Sequence, residues 1–481
     1  MLEIRPITAA YHAAWHALWR GYQRFYAAEI PEQTSYLTWQ RFLDPAEPMH
    51  AALAWQAGAA VGLVHWIFHR SCWTRGDYCY LQDLYVAENL RGTGIGRALV
   101  DPYAAEQPLQ RIDSGNMAQF AQWLSPGTQA MLRQYPQSFH LQLYPSHRSA
   151  AYPESILKQS RQNATRIRLN ASGSGLEGGY TSGVPFPVPL RAEEVIWNHV
   201  TRYRGGAVKR EVHRMPVQTS GAYQASLIRQ TQVFASNVRD NTPDSNLLFY
   251  FIGQTLAPAR QAGNIALIHE PLDQVQTPRQ AWAYNAGQRR VRRAPTLAYD
   301  SPQNSSDGLA TSDNMDMYNG AFDRYDWTLK GKRELLIPYN NYRLHDKGLK
   351  YAQIIQPAHL NSDYVRYERH RVWEVEGKLK AGQRHIYDKR TFFIDEDTWQ
   401  IALADHYDAR GELWRVSAAY QLNFYNDLVP WMTAEAIHDL QSRRYLVSGL
   451  SNETPSEASF GHEALRQDFK PDALRRLGGK N

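Results

Sequence analysis

The sequence predicts an α+β protein with two unlike parts, a partial α/β unit over residues 1–100 and a large, mainly antiparallel β domain over residues 101–470. Three observations predict this. The 481 residues exceed what one ordinary core holds. Lysine is absent before Lys158 and ordinary after it, and six of the 14 tryptophans precede residue 80. Strand-like segments then fill most of the second part, and residues 471–481 are expected to form a tail.

Charge and composition narrow the classes of function. The net charge is +6, and the first 100 residues are neutral, so the excess lies in the rest and is too diluted to indicate a nucleic-acid partner. No run approaches 18 apolar residues, which argues against a transmembrane helix. The charged N-terminal residues do not resemble a signal peptide, so the chain as written is expected to stay in the cytoplasm. Cys72 and Cys79 are expected to be free, buried thiols rather than a disulfide.

The first part contains helical and strand patterns that lead into one glycine-rich segment. Residues 9–28 place aromatic side chains at helical spacing, which predicts a helix with one core-facing side. The other expected elements are a strand at Glu3–Ile7, a helix at Ser35–Leu43 and strands at His50–Gln56, Ala60–His69 and Tyr78–Val86.

The segment after the third of those last strands carries the chemistry of the first part. It reads Arg91-Gly92-Thr93-Gly94-Ile95-Gly96-Arg97 and begins a helix at once. Glycines let the backbone approach a ligand closely, and the start of a helix presents free N–H groups to an anion. A lone glycine loop is weak evidence, because dinucleotide and kinase loops look similar. The pattern Arg-x-x-Gly-x-Gly after the strand YLQDLYVAENL narrows the choice.

This segment, and the order of the elements around it, resemble the GNAT superfamily of N-acetyltransferases. The resemblance implies acetyl-CoA as cosubstrate and a small-molecule amine as acceptor. It implies that Leu84, Tyr85 and Val86 pair with the pantetheine arm and that the backbone of residues 91–97 binds the pyrophosphate. It also implies that Asp83 accepts the amine proton, often through water, and the alternative is a structural strand carboxylate.

The first part departs from that family where the helix ends. Asp101-Pro102 cannot continue a helix, so the helix is expected to stop near Val100. Downstream we find no Asn, Ala and Tyr at helical spacing before a Gly-Phe pair, the pattern that would supply the general acid. We therefore expect this truncated unit to be a poor or inactive acetyltransferase.

Residues 101–481 are predicted to begin with short helices and to continue as a meander of strands around a helical segment. The expected helices are Asn116–Trp123, Gly127–Tyr135 and Glu193–Tyr203. The expected strands are Tyr223–Phe234, Asn246–Thr255, Ala262–His269, Ala281–Asn285, Tyr325–Lys332, Arg366–Leu379, Arg384–Ile394, Thr398–Asp408, Glu412–Tyr425 and Leu440–Leu450. Residues 169–189 and 303–313 are expected to be loops.

No catalytic or metal constellation stands out in this second part. It has no cysteine, and the histidines His359, His370, His385 and His406 lack the spacing of metal ligands. The basic run 287–293 is either a contact for phosphates, lipid head groups or acidic partners, or a set of strand-end charges. Residues 313–317 begin like a calcium loop and lack its later glutamate.

The second part resembles a family of Gram-negative envelope proteins classed as domain of unknown function 1329. The resemblance implies a LolA-like curved sheet around helices, an apolar cavity suited to lipids or other hydrophobic molecules, and an envelope location; it names no catalytic residue. The segments that carry it are NHVTRYRG (198–205), LAPARQAGNIALIHEPL (256–272), PRQAWAYNAGQRRVRRAPTLAYD (278–300), MYNGAFDRYDW (317–327), LHDKGLKYAQIIQPAHLN (344–361), HRVWEVEGKLKAGQRHIYDKRTFFIDEDTWQI (370–401) and YDARGELWRVS (407–417).

Three hypotheses follow. The chain is an acyltransferase with an appended binding domain, or it is a non-enzymatic binding protein for a lipid or another hydrophobic molecule that carries a relic acetyltransferase fragment. Alternatively the two parts were joined accidentally between Leu99 and Asp101, by a genomic deletion or by an assembly error between two neighbouring genes. Whether the coding DNA reads continuously through the junction is the observation that discriminates.

Overall fold

The structure, a computed structural model, describes residues 2–70, 78–100, 106–242, 245–294 and 299–478. The chain divides into two compact units, Met1–Pro108 and Leu109–Asn481. No helix within the described ranges is long and apolar enough to cross a membrane. Cys72 lies outside the described residues. Cys79 is exposed, so the expectation of a buried thiol is wrong at that position.

The first unit is a four-stranded sheet with helices packed on it. Its elements are β1 (Leu2–Pro6), α1 (His12–Phe25), α2 (Glu32–Leu43), β2 (Met49–Gln56), β3 (Ala59–His69), β4 (Tyr78–Val86) and α3 (Ile95–Val100). The strands pair antiparallel in the order β1-β2-β3-β4. The predicted helices and strands of this part are confirmed to within a few residues; residues 9–11 form a 3-10 turn ahead of α1.

Apolar side chains lie on both faces of this sheet. On one face, Trp15 of α1 and Trp39 of α2 pack with Leu63 of β3, and Trp15 is fully buried. On the other face, Ile95 of α3 packs with Ala54 of β2. The alternation of side chains along each strand separates the two clusters, so the aromatic side of α1 is core packing, as predicted.

The second unit is built on one long sheet and contains six described α-helices, most of them short. Its helices are α4 (Pro126–Gln134), α5 (Glu154–Arg166), α6 (Ala192–Thr201), α7 (Tyr342–His345), α8 (Tyr351–Ile354) and α9 (Ala473–Gly478). Its strands are β5 (Gln110–Ile112), β6 (Leu141–Leu143), β7 (Arg168–Leu169), β8 (Leu176–Glu177), β9 (Ala207–Val217), β10 (Ser226–Phe234), β11 (Leu247–Ala257), β12 (Ile265–Pro271), β13 (Gln280–Asn285), β14 (Arg290–Arg293), β15 (Tyr325–Pro338), β16 (Arg366–Leu379), β17 (Lys389–Asp395), β18 (Ile401–Tyr407), β19 (Leu413–Phe424), β20 (Val429–Asp439), β21 (Arg444–Leu450) and β22 (Ser459–Phe460).

The long sheet follows the chain in two antiparallel runs. Its order is β14-β13-β12-β11-β10-β9-β21-β20-β19-β18-β17-β16-β6-β5, with β15 added to β16 and β22 added to β9. The junction between β9 and β21 joins the two runs. The α+β class and the antiparallel meander are therefore confirmed.

The longest elements of this unit that were not predicted are α5, β9 and β20. The other unpredicted elements are short, namely α7, α8, α9, β5, β6, β7, β8, β14 and β22. Most residues of β20 are buried on both faces, so the polar alternation that marks a half-buried strand is missing. In β9, the charged side chains of Lys209, Arg210, Glu211 and Arg214 mask the pattern, although Met215 and Val217 are fully buried.

Helix α6 lies in a core bounded by distant parts of the sheet. Its Val195, Ile196 and Trp197 are buried with side chains from strands as far apart in the order as β11 and β17. This is the helix within a curved sheet that the sequence predicts. Across β12, Leu267 packs with Leu474 of α9, so residues 473–478 form a helix that covers the sheet.

Candidate functional sites

The glycine-rich segment of the first unit lies between β4 and α3. A 3-10 turn at Glu88–Leu90 links it to the strand. Gly92 and Gly94 have φ of +79° and +88°, where other residues are strained, and a Cβ at either position would meet nothing within 4 Å. The two glycines therefore form a turn whose backbone is open to a ligand.

Side chains of the same segment brace this turn against the strand. The Arg91 Nε donates a 3.2 Å hydrogen bond to the Val86 carbonyl, and its guanidinium lies 4.4 Å from the centre of the Phe25 ring. The Thr93 hydroxyl donates to the Leu90 carbonyl at 2.6 Å. The Arg91 side chain is thus held by contacts within the first unit.

The first turn of α3 packs against the sheet through Ile95. Ile95 is buried beneath the turn, and a Cβ on Gly96 would lie 3.6 Å from the Val86 side chain, an ordinary contact. The side chain of Arg97 lies outside the described part of the structure. Gly96 therefore tolerates a small side chain sterically, which makes it a useful position for testing a ligand at this turn.

Strand β4 presents one free edge near that turn. It pairs with β3 on one side, and no described strand pairs with its other side. Leu84 and Val86 face α3, and Tyr85 faces α1, where a Cβ on Gly21 would lie 2.6 Å from the tyrosine hydroxyl. Backbone groups along the free edge are available to an extended ligand, as in strand addition.

Asp83 lies one residue before that stretch and is buried. Its Oδ2 lies 2.8 Å from Nδ1 of His65, its register partner on β3, and the Trp15 indole N–H donates to Nε2 of the same histidine at 2.8 Å. The indole contact leaves the imidazole proton on Nδ1, facing Asp83. Burial lowers the pKa of His65, against the opposing effect of the Asp83 hydrogen bond.

The second unit contains a cavity of about 390 Å³ over β9–β13, β20 and β21. This volume falls within the roughly 300–1,000 Å³ of small-molecule sites. Its large apolar lining side chains are Ile228, Phe251, Ile268, Met315 and Trp431.

Five residues on the floor of this cavity form one cross-strand row. They are Arg210, Gln230, Gly253, Ala266 and Ala283, on β9 to β13 in order. Neighbouring strands lie about 4.8 Å apart, so the row spans roughly 19 Å. The floor therefore changes from a guanidinium at one end to small apolar residues at the other.

Two arginines at the β9 end of the row are held in place by neutral groups. The Arg210 Nε donates to Gln230 at 2.8 Å, and its guanidinium lies 4.2 Å from the Trp431 ring centre. The Arg214 guanidinium donates to the Ser448 hydroxyl and the Asn304 carbonyl at 3.2 and 2.9 Å. Burial lowers the pKa of Arg210 to about 10.

Other charges around the cavity are paired. Arg202 and Arg204 both donate to Asp316, and all three side chains are buried. Arg279 pairs with the fully buried Glu270, with 2.7 Å between Nε and Oε2. Arg279 is therefore neutralised, whereas Arg202 and Arg204 share the single negative charge of Asp316.

Glu435 of β20 is the remaining carboxylate of the cavity wall. Its Oε2 accepts the Met317 backbone N–H at 3.0 Å. Burial raises the pKa of Glu435 to about 7, and Asp316 adds to the shift, while Arg214 and Arg210 oppose it. In register it lies opposite Ser448, which in turn lies opposite Arg214.

The segment that begins like a calcium loop forms ion pairs. Asp313 accepts hydrogen bonds from Arg390 at 2.7 Å and from His385 at 3.0 Å. Against the effect of burial, these two partners hold the pKa of Asp313 well below its usual range. The carboxylate is committed to a structural network.

His370, Asp395 and Asp397 also come together, with one ligand atom of each within 4.8 Å of the others. His370 Nε2 lies 3.0 Å from Glu368, and Arg148 binds both oxygens of Asp397. The sequence excluded His370 as a ligand on spacing, because the group is assembled from β16 and the turn after β17. Arg148 compensates Asp397, and Glu368 pairs with His370, whereas the buried Asp395 accepts hydrogen bonds from the backbone N–H and the hydroxyl of Thr398 at one oxygen and its other oxygen has no described partner.

Residues 111–475 match the model of the family described as protein of unknown function DUF1329. The chain belongs to the DUF1329 family. This DUF1329 chain is 50% identical over 382 residues to the uncharacterized protein PA3922 of Pseudomonas aeruginosa, covering 79% of this chain and 84% of that protein. A LolA superfamily protein from Nitrosomonas europaea aligns with 59% of this chain and all of that chain, at 12% identity and a TM-score of 0.36.

The first unit of this DUF1329 chain matches another family. Residues 15–110 match the model of the acetyltransferase (GNAT) family. Over 82 residues the chain is 35% identical to the D-amino-acid N-acetyltransferase HPA3 of Saccharomyces cerevisiae, 17% of this chain and 51% of that protein. The chain thus spans about half the length of that relative. The two resemblances inferred from the sequence are confirmed.

The DUF1329 cavity shows what the sequence could and could not supply. The glycine turn and the end of β4 are contiguous in sequence and were predicted as a unit. The arginine pair, Glu435 and the apolar floor come from β9 to β13 and β20, and two of those strands were not predicted. The available signal in the sequence was Arg210 and Arg214 four residues apart.

Proposed function

We propose that the DUF1329 domain binds an elongated hydrophobic molecule in the cavity over β9–β13. The observation that carries this proposal is the row of small residues, Gly253, Ala266 and Ala283, on the neighbouring strands β11 to β13. Core packing normally fills such a surface with large side chains. Here the ring of Phe251 lies over Gly253, where an added Cβ would be 3.1 Å from it, and the trough continues over Ala266 and Ala283.

The direction of the trough supports an extended ligand over a compact one. Ile268 of β12 and Phe251 of β11 are paired directly across the two strands, beside the row, and both line the cavity. A chain of methylene groups along the row would remove apolar surface of both ligand and protein from water, at about 25 cal/mol per Å² buried.

The test is the binding of a neutral fluorescent probe, N-phenyl-1-naphthylamine, to the purified full chain. We expect saturable fluorescence enhancement that Ala266→Trp abolishes by filling the trough. Ala409→Trp, in an exposed turn outside the cavity, is the matched control and should bind the probe like the parent. Equal binding by both variants, or none by the parent, would refute the proposal.

A second function is favoured by the GNAT match and the open turn at Gly92 and Gly94. We propose that the first unit binds acetyl-CoA, with the pantetheine arm along the free edge of β4 and the pyrophosphate against the backbone of residues 91–97. The amine acceptor would attack the acetyl carbonyl directly, and Asp83 would accept its proton, through water where the geometry requires it.

Acetyl transfer itself is expected to be slow or absent. The described sheet of the first unit ends at β4, so a cofactor there is contacted from one side. The resemblance assigns the general acid for the thiolate to a later segment that we did not find in the sequence. Without that proton donor, the leaving group must depart as a free thiolate.

Calorimetric titration of acetyl-CoA into the full chain tests the binding step. Gly96→Asp and Gly96→Asn form a matched pair, since a Cβ at this position makes ordinary contacts, the two side chains are nearly equal in size, and only the aspartate repels a pyrophosphate. We expect the aspartate variant to lose binding and the asparagine variant to retain most of it. If the parent shows no heat of binding while its unfolding transition is intact, the first unit is a relic, as the second hypothesis holds.

A further inference from the structure

We propose that the ligand of the DUF1329 cavity is an amphiphile with an anionic head group, its carboxylate or phosphate held between Arg210 and Arg214 and its chain along Gly253, Ala266 and Ala283. This inference rests on the proposed hydrophobic-ligand function and adds the chemistry of the head group.

The two cations of the cavity come from one strand. Arg210 and Arg214 are four residues apart on β9, so strand alternation brings both to the same face, and both line the cavity. Four residues along a strand place the two Cα atoms roughly 13 Å apart, so the two long side chains can approach one head group from opposite sides. Arginine binds a carboxylate or phosphate in a bidentate manner.

The hydrogen-bond partners of Arg210 and Arg214 are uncharged groups. Within the part of the chain that the structure describes, neither arginine has a carboxylate within 4.0 Å, and the partners that hold them are Gln230, Ser448 and the Asn304 carbonyl. Half-buried cations without counter-ions are unfavourable, because burial removes hydration that an uncharged hydrogen-bond acceptor only partly replaces. An anion from outside would supply the missing partner.

The other arginines of the same wall have carboxylate partners. Arg204 and Arg279 line the cavity too, and each is paired with a buried carboxylate, Asp316 or Glu270. Asp316 is shared with Arg202, so its charge is already used, and the pair on β9 has no direct carboxylate partner among the described residues. The one further carboxylate, Glu435, lies two strands from Arg214 in register and accepts a backbone N–H.

The floor of the cavity is polar at one end only. The cross-strand row begins with Arg210 and Gln230 and ends in Gly253, Ala266 and Ala283. A ligand that follows the row therefore meets a cation and its amide partner at one end and small apolar residues at the other. A neutral hydrocarbon would leave the cations unpaired, and a small anion would leave the trough empty.

The experiment compares three competitors with the same twelve-carbon chain, dodecanoate, dodecyl phosphate and dodecanol, as displacers of N-phenyl-1-naphthylamine from the full chain. We expect at least one anion to displace the probe at about tenfold lower concentration than the alcohol, the ratio that about 1.4 kcal/mol gives. Preference for dodecanoate indicates a fatty acid, and preference for dodecyl phosphate indicates a phosphorylated lipid; either supports the proposal.

Variants localise the effect. Arg210→Gln with Arg214→Gln should bring the anions to within about twofold of dodecanol, after each displacement is corrected for the probe affinity of that variant. Arg292→Gln, an exposed arginine on β14, should leave the tenfold ratio intact. Equal displacement by all three competitors in the parent would overturn the head-group inference and leave the hydrophobic site standing. Failure of the probe to bind at all would overturn the hydrophobic site itself, and the inference with it.

Discussion

Nδ1 of His65 lies 2.8 Å from Oδ2 of Asp83, across the register of β3 and β4. Both side chains are buried, and the Trp15 indole occupies the other ring nitrogen. The carboxylate that the GNAT resemblance assigns to proton transfer is therefore also the hydrogen-bond partner of a core histidine. Any substitution of Asp83 must separate the two roles.

We predict that Asp83→Ala destabilises the first unit by roughly 1–3 kcal/mol, because the His65 N–H is left buried without an acceptor. Asp83→Asn keeps an acceptor oxygen and should cost less. Hydrogen exchange of peptides from β3 and β4 in the full chain measures both. Equal protection in the parent and the alanine variant would contradict the structural role. Loss of acetyl transfer in the asparagine variant, with its protection retained, would point to a proton acceptor.

The Asp316 clamp, in which one carboxylate pairs with both Arg202 and Arg204, gives a prediction for the stability of the second unit. Asp316→Asn should lower the free energy of unfolding by roughly 3–5 kcal/mol, because it leaves Arg202 and Arg204 buried without a counter-charge. Asp388→Asn breaks an ion pair with the exposed Lys378 and should cost under about 1 kcal/mol. Urea unfolding midpoints compare them; similar midpoints for the two variants would show that the clamp contributes no more than a surface pair.

Asp405 predicts how the stability of the second unit depends on pH. Burial raises its pKa to about 7, against the hydrogen bond that its Oδ2 accepts from the Gly127 N–H at 2.9 Å. Because the folded state holds this proton more tightly than the unfolded chain, the contribution is full below about pH 4 and is lost as the pH rises to about 7.

Asp405→Asn should remove that loss, since the amide keeps an acceptor for Gly127 and cannot ionise. We expect the variant to gain roughly 1–4 kcal/mol relative to the parent between pH 4 and pH 8, measured as unfolding midpoints at both values. Asp326→Asn, an exposed residue of β15, is the control and should follow the parent. A variant whose midpoint tracks the parent at both pH values would show that Asp405 does not carry the pH dependence.

Glu435 predicts the pH dependence of anion binding. The groups that face it are Asp316, Arg210, Arg214 and the Met317 N–H, and its pKa is raised to about 7 chiefly by burial. As the pH rises from 6 to 8, Glu435 becomes a carboxylate that competes for the arginines. We expect the affinity for dodecanoate, whose carboxyl group is ionised throughout this range, to fall severalfold in the parent and much less in Glu435→Gln. An equal or steeper fall in the variant would exclude Glu435 as the competitor.

The sequence by itself determined the two-part organisation, the elements of the first unit and the glycine turn after β4. These features depend on local signals, namely hydrophobic period, glycine conformation and residues contiguous along the chain. The same signals located most strands of the second unit and the two family resemblances.

Only the tertiary structure decided which side chains share a site. The His65–Asp83 pair depends on the register of β3 against β4, and the cavity depends on the registers of five strands from β9 to β13. Two walls of the cavity, β9 and β20, gave no alternating pattern, because one carries charges toward an interior trough and the other is buried on both faces. Long-range strand pairing sets these contacts, and no local pattern encodes it.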